Sequence, residues 1–332
     1  MSATRIGLLL GDPAGVGPEI VAKLLERHKD RDDLEFSVFG TEAVVSAGAR
    51  VADVELKLPV AEAGQTITKN APRQMLFAVD DSGLSDIEPG KVSRAAGLYA
   101  LRSLDVAVAA AKAAQIDAIV YAPLNKHAMS LAGFNDIDEM HYLAQKFGCN
   151  HFCSELNVLD RLWTVRVTSH VPLVDVAANV NTARVMEATR LGIATMKRAG
   201  VHNPRVAIAG LNPHAGDGGT IGSEDNDVIL PAVEALKKEG IDICGPSSPD
   251  TVFVMAYRGA YDLVVSMYHD QGQIALKSLG FERLVTLLGG LPVPAITASS
   301  GSAYDITGKN RASPDGLIAA TELACRLVGN AA

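Results

Sequence analysis

Three histidines of this 332-residue chain stand at the ends of apolar, strand-like runs: His170 closes LWTVRVTSH, His214 closes RVAIAGLNPH and His269 closes DLVVSMYH. In an open α/β sheet, ligands bind beyond the carboxyl ends of the strands, so polar side chains delivered there can reach a common ligand. Neutral imidazoles converging from separate strands suit a borderline divalent ion such as zinc or cobalt, with one position left open for substrate. A loop hydrogen bond for each histidine is the plainer alternative, and their spacing does not separate the two readings. Their loops, NPHAGDGG and YHDQG, are rich in Gly, Pro and Asp, as functional loops tend to be. His127 also follows a strand-like run, whereas His28, His141, His151 and His202 lie in charged, helical or loop surroundings.

Two lysines share this placement. Lys126 in APLNKHA and Lys277 in HDQGQIALK follow strand ends, where an ammonium can meet an anionic substrate or move a proton. The segment GDPAGVGPE (11–19) joins a strand to a helix and is a candidate anion-binding turn, although it matches neither a dinucleotide fingerprint nor a Walker sequence. In GSAYDITGKNRASP (301–314), glycines permit close backbone approach and Asp305 can accept from a ribose diol.

The elements needed to position these residues are legible as an alternation of short β-rich runs with alanine-rich helical stretches, the pattern of βαβ units and a mostly parallel sheet. Strands are expected at 5–10, 35–39, 117–122, 162–168, 205–210 and 262–267, and helices at 17–29, 93–114, 182–199, 226–239 and 314–328. Apolar residues make up 48% of the chain and charged residues 20%, which fits a compact α/β protein. A net charge of −8 argues against a nucleic-acid surface. The first fifteen residues hold too short an apolar run for a signal peptide or a membrane span, so a cytoplasmic location and no membrane partner are expected. Cysteines at 149, 153, 244 and 325 are too scattered for a disulfide framework, and Cys149, His151 and Cys153 lack the second pair of a zinc knuckle.

Taken together, GDPAGVGPE, APLNK, SHVPL, LNPHAGDGG, GPSSPDTVF, MYHDQG with its following lysine, and GSAYDITGK resemble the 4-hydroxythreonine-4-phosphate dehydrogenase family, in order and over essentially the whole chain. The resemblance implies two α/β/α domains with a central cleft, like isocitrate and isopropylmalate dehydrogenases. Residues 1–125 plus 270–332 would form the nucleotide-side domain and 126–269 the metal and dimer side. It implies a homodimer with an active site shared between subunits, acting on a small molecule. His170, His214 and His269 would bind one divalent metal, zinc ahead of magnesium or cobalt, with His269 reaching the site from the partner. NAD, or NADP, would lie along Gly301, Ser302, Asp305 and Gly308. The implied chemistry is oxidation of a secondary alcohol followed by decarboxylation of the β-keto acid, in pyridoxine biosynthesis. In this scheme Lys126 and Asp270 are the candidates for proton transfer and for orienting the metal shell, and Lys277 meets substrate.

The sequence departs from the family where substrate is contacted. DEMHYLA replaces a Gly-His-Thr-Glu segment and puts Glu139 and Met140 at two contact positions; Thr286 and Ala295 stand where Asn and Arg are usual, and Ser300 replaces a histidine. A carboxylate at 139 repels phosphate, and alanine at 295 removes a guanidinium fork. The substrate is therefore open between a phosphorylated four-carbon acid and a cis-dihydrodiol carboxylate of the terephthalate type. A metal-dependent hydrolase that activates water without a nucleotide is the reading from another class, and an acyltransferase resembling phosphotransacetylase is a third.

Overall fold

A computed structural model of the chain describes residues 3–61 and 72–330. Up to Cys149 the order is β1 (Thr4–Leu9), α1 (Gly17–Arg27), β2 (Leu34–Gly40), α2 (Glu42–Ala52), β3 (Gln74–Ala78), α3 (Arg94–Lys112), β4 (Ala118–Tyr121), α4 (Lys126–Leu131) and α5 (Glu139–Phe147). From Asn150 to Gly290 come β5 (Ser154–Leu159), β6 (Leu162–Arg166), α6 (Val176–Asn179), α7 (Thr182–Arg198), β7 (Val206–Ala209), α8 (Leu230–Lys238), β8 (Ile243–Ser247), α9 (Pro249–Tyr257), β9 (Leu263–Ser266), α10 (His269–Gly280) and β10 (Val285–Gly289). The chain ends through β11 (Ala295–Ala298) and α11 (Asp315–Gly329).

These elements form two compact units, one reaching Cys149 and joined by Leu291–Asn330, the other spanning Asn150–Gly290. The borders differ from those expected at 125/126 and 269/270 for a packing reason. Helices α4 and α5 pack on α3 and stay with the first unit, whereas α10 lies on β5, β6 and β9, and β10 pairs with β5.

In the first unit the strand order is β3-β2-β1-β4-β11, and every pairing is parallel. Its central strands are apolar through their middles because parallel strands are covered on both faces; Ile6, Leu8, Ile119 and Val120 are fully buried. In the second unit the order is β10-β5-β6-β9-β7-β8, with β5 antiparallel to both neighbours and the remaining pairs parallel. All six expected strands form. β5, SELNVL, was not expected because Glu155 and Asn157 interrupt its apolar run. The helix expected at 226–239 starts instead as a π-helical turn over Asp225–Ile229 that runs into α8. Among the described residues no helix is long and apolar enough to cross a membrane.

Helix α3 positions Lys126. Ser93 caps it by accepting from Ala96 N at 3.1 Å, and its alanine-rich surface lets α4, with Lys126 as first residue, approach closely. At the contact a Cβ on Gly97 would lie 1.9 Å from the Ala128 carbonyl oxygen, so only glycine fits. Gly97→Ala is expected to destabilise the protein by more than about 2 kcal/mol, as overpacking against backbone does, measured by urea unfolding. Unchanged stability would show that α3 and α4 separate easily.

Candidate active-site residues

Strand β9 runs into Met267 and Tyr268, and α10 begins at His269. Strand β6 leaves the sheet at Arg166 and reaches His170 four residues later. The two hand-overs bring the imidazoles of His170 and His269 next to each other within one chain, with ring centroids 5.4 Å apart and planes tilted by 41°. Asp270 accepts at 2.6 Å from His269 Nδ1, and Ser169 Oγ lies 3.3 Å from His170 Nδ1. Both histidines and Asp270 line a cavity of about 250 Å³ together with Thr168, Val171 and Tyr268. Burial holds the His269 imidazole below its ordinary range; the Asp270 hydrogen bond opposes this, and the nearby charges of Arg166 and His170 add to it.

His214 is placed by a separate loop. After β7 the backbone is left-handed at His214, Ala215 and Asp217, with φ of 54°, 54° and 43°; His170 is likewise left-handed at 51°. Non-glycine residues pay for such conformations with strain, and runs of them are typical of functional loops. Two polar side chains hold this one. Asp225, fully buried in the π-helical turn, accepts from Leu211 N at 2.8 Å and from Asn212 N at 3.0 Å. Gln271 donates to Gly210 O at 2.8 Å and accepts from Met267 N at 2.7 Å, tying the start of this loop to the start of α10. Sequence reasoning gave no role to Asp225 or Gln271; an acidic residue next to a glutamate in SEDND carries no local signal for the backbone it satisfies 13 and 14 residues away. Among the described residues of a single chain, the ligating atoms of His170, His214 and His269 do not gather as one set within 4.8 Å.

The remaining expected residues fall into distinct settings. Lys126 is half exposed, its Nζ 3.7 Å from Glu139 Oε2. Glu139 opens α5, whose cap is the buried Asp138, accepting from His141 N at 2.9 Å. Met140 is a core residue, 4% exposed, because the helix turns it inward beside Leu143. Ala295 is fully buried in β11, and Thr286 in β10 accepts from Asn157 Nδ2 at 2.9 Å. Lys277 lies in the last turn of α10, its ammonium 5.7 Å from the Phe281 ring.

In the first unit the 11–19 loop is stitched to the 301–308 loop. Tyr304 OH donates to Asp12 Oδ2 at 2.5 Å and Val16 N donates to Ser302 O at 3.0 Å. Burial pushes the Asp12 carboxyl up, and burial beside Asp12 does the same to the Tyr304 hydroxyl. A mostly apolar cavity of about 240 Å³ opens against these loops, lined by Pro13, Gly15, Glu19, Val44, Ile87 and Gly308. Of the expected nucleotide residues only Gly308 lines it; Ser302 is buried, and Gly301 and Asp305 are exposed.

Residues 33–324 match the family model described as pyridoxal phosphate biosynthetic protein PdxA. A Pseudomonas aeruginosa protein provisionally named 4-hydroxythreonine-4-phosphate dehydrogenase 2 is 40% identical over 328 residues, 98% of this chain and 97% of its own. The D-threonate 4-phosphate dehydrogenase of Pectobacterium atrosepticum is 37% identical over 330 residues, with 97% and 98% covered. The crystal structure of 4-hydroxythreonine-4-phosphate dehydrogenase from Klebsiella pneumoniae has a TM-score of 0.82 at 31% identity, covering 98% of each chain. Isocitrate dehydrogenase from Methylococcus capsulatus shares the fold alone, with a TM-score of 0.51 at 14% identity over 98% of this chain and 86% of that one.

Asp225→Ala removes the acceptor of two backbone N–H groups in the His214 loop. It is expected to cost about 1–3 kcal/mol of stability and to raise the hydrogen-exchange rates of the Leu211 and Asn212 amides above those of neighbouring β7 amides. Unaltered exchange at these two amides would refute the clamp.

Proposed function

Because the chain belongs to the family of the pyridoxal phosphate biosynthetic protein PdxA, we propose that it is an NAD-dependent, divalent-metal-dependent dehydrogenase. It oxidises the secondary alcohol of a hydroxy acid and releases carbon dioxide from the β-keto acid that results. A phosphorylated four-carbon acid is the proposed substrate, as the names of its relatives suggest. An unphosphorylated hydroxy acid is the second reading, favoured by the Glu139 carboxylate beside Lys126.

The observation that carries the proposal is the adjacent pair His170 and His269 with Asp270 on Nδ1 of His269. The donor set fits a cation. Burial favours the neutral imidazole at 269, the carboxylate accepts the hydrogen bond from its Nδ1–H, and the lone pair is left on Nε2, the arrangement in which histidines ligate metals. His170, His214 and His269 are the proposed ligands, with zinc ahead of cobalt or magnesium for nitrogen donors. When bound, the cation supplies Lewis-acid stabilisation of negative oxygen and the nicotinamide supplies the hydride acceptor.

The chain's own residues do the rest. Asp270 fixes the tautomer and orientation of His269. Lys126 Nζ carries the proton at the substrate hydroxyl, with the Glu139 carboxylate as its partner. Lys277, two helical turns beyond His269, attracts the anionic substrate. The apolar cavity ending at Gly308 suits an adenine ring, and Asp305 is the proposed ribose partner.

A homodimer in the cytoplasm is part of the same proposal. Apolar side chains next to His170 are exposed in the single chain, Leu173 at 74% and Val174 at 86%, and Ile274 on α10 at 64%. Such a patch is the mark of a covered surface. A partner would also explain why the three histidines do not converge within one chain.

Purified protein is expected to reduce NAD with a hydroxy acid drawn from a panel of phosphorylated and unphosphorylated compounds, to stop after chelation, and to recover with zinc or cobalt. Asp270→Asn should weaken metal affinity about 10–100-fold in a chelator competition titration. Turnover that survives complete chelation would exclude the metal-dependent reading. For the dimer, Leu173→Glu combined with Val174→Glu is expected to halve the mass seen by sedimentation; a wild-type chain that sediments as a monomer would remove the shared-site proposal.

A further inference from the structure

One face of the second unit's sheet is polar where it packs under α10. Asn157 stands opposite Thr164 across β5 and β6 and opposite Thr286 across β5 and β10, while Arg166 stands opposite Ser266 across β6 and β9. Arg166 is 3% exposed, and Glu155, Asn157, Thr286 and the α10 residue Gln273 are buried around it. Arg166 Nη2 donates to Glu155 Oε2 and, at 3.3 Å, to Asn157 Oδ1, which also accepts from Gln273 Nε2 at 3.1 Å. Asn157 Nδ2 in turn donates to Thr286 Oγ1.

The network is incomplete in a specific way. Among the described residues, Arg166 Nε and Nη1 and Gln273 Oε1 are buried without a hydrogen-bond partner. A buried ion pair offsets its desolvation only when its other protons are satisfied, and each orphaned buried group weakens the fold. The three orphans differ in sign: Arg166 offers donors with positive charge, Gln273 an acceptor. Their complement is an oxyanion with a hydroxyl beside it.

Both orphan-bearing residues are tied to the histidine cavity by the chain itself. From Arg166 the backbone reaches the cavity-lining Thr168, Ser169 and His170 within four residues. On α10, His269, Gln273 and Lys277 recur at every fourth position and so share one face of the helix.

We propose that Arg166 and Gln273 form the subsite for the polar head of the substrate. Arg166 Nε and Nη1 donate to a carboxylate or phosphate oxygen, Glu155 and Asn157 hold the guanidinium in place, and Gln273 Oε1 accepts from the adjacent hydroxyl. The assignment rests on the dehydrogenase reading only in taking the bound head to be the substrate's. Binding can be tested without turnover.

The test uses the full-length protein, with glycerate, propionate and inorganic phosphate as probes in isothermal titration. The wild type is expected to bind glycerate at least about ten-fold more tightly than propionate, which lacks the hydroxyl, if the head is a carboxylate, and phosphate most tightly if it is a phosphoryl group. Arg166→Met alone would strand the Glu155 carboxylate, so Glu155→Met with Arg166→Met removes both charges together. This pair, checked for folding by circular dichroism, should bind the preferred probe at least ten-fold more weakly. Gln273→Leu should abolish the preference for glycerate over propionate. In the unaltered chain, the Arg166 Nε–H resonance should move on titration, a readout independent of whether any variant folds. Wild-type affinity in the double variant, a stationary Arg166 resonance, or no binding of any probe overturns the subsite. Binding as expected with no NADH formed from any hydroxy acid would instead overturn the dehydrogenase reading and leave the subsite standing.

Discussion

The side-chain amide of Gln271 closes two backbone groups at once, the Met267 N–H at the end of β9 and the Gly210 carbonyl at the end of β7. Without it both groups would be left unpaired beyond the carboxyl ends of their strands. The amide joins the segment that starts α10, with His269 and Asp270, to the segment that leads to His214. Asp225 acts on the second of these segments from the other side, through the next two backbone amides. The imidazole-bearing loops are thus held by one neutral amide and one buried carboxylate. Both ends of the Gln271 amide are occupied, so shortening or reversing it frees one loop or the other.

That anchoring allows strain nearby. His170, His214, Ala215 and Asp217 are all left-handed, at about 1–3 kcal/mol each for residues other than glycine. Such conformations persist only when the surroundings over-determine them, and here the surroundings are fully buried strands: Val165 in β6, Ile208 in β7 and Val265 in β9. Rigid apolar strands, satisfied loop ends and left-handed residues at the tips form one causal sequence. Other left-handed residues, such as Asp53 and Ala303, lie elsewhere in the chain, but those beside the imidazoles all sit in loops and none in the strands beneath.

Much of this was legible in the residues. The apolar runs before His170, His214 and His269 are strands, and the alanine-rich stretch at 93–114 is a helix of nearly that length, because burial and helix propensity are local properties. What could not be read depends on distant partners. β5 was obscured by Glu155 and Asn157, polar residues that make sense only beside Arg166, Thr286 and Gln273. Met140 was aligned with substrate contacts, yet the phase of α5 turns it into the core. The border at Cys149 could not be read because nothing in the chain near Lys126 announces that α4 packs on α3. Whether His214 joins the other two histidines is a question about assembly that composition and spacing do not reach.

Two cations among the candidate site residues come with carboxylates attached. Lys126 faces Glu139, and Arg166 is paired with Glu155. A paired cation attracts a second anion less strongly than a bare one, because the two fields largely cancel beyond a few ångströms. The N–H groups left over keep their direction even so. Recognition built from them is therefore decided by hydrogen-bond geometry more than by net charge. A ligand whose hydroxyl fails to meet Gln273 leaves a buried acceptor unpaired, a penalty of about 1–3 kcal/mol that a merely charged competitor has no means to offset. In the proposed site, the Glu139 carboxylate beside Lys126 and the buried Arg166 beneath α10 act in one direction, favouring the pattern of oxygens around a ligand over its net charge.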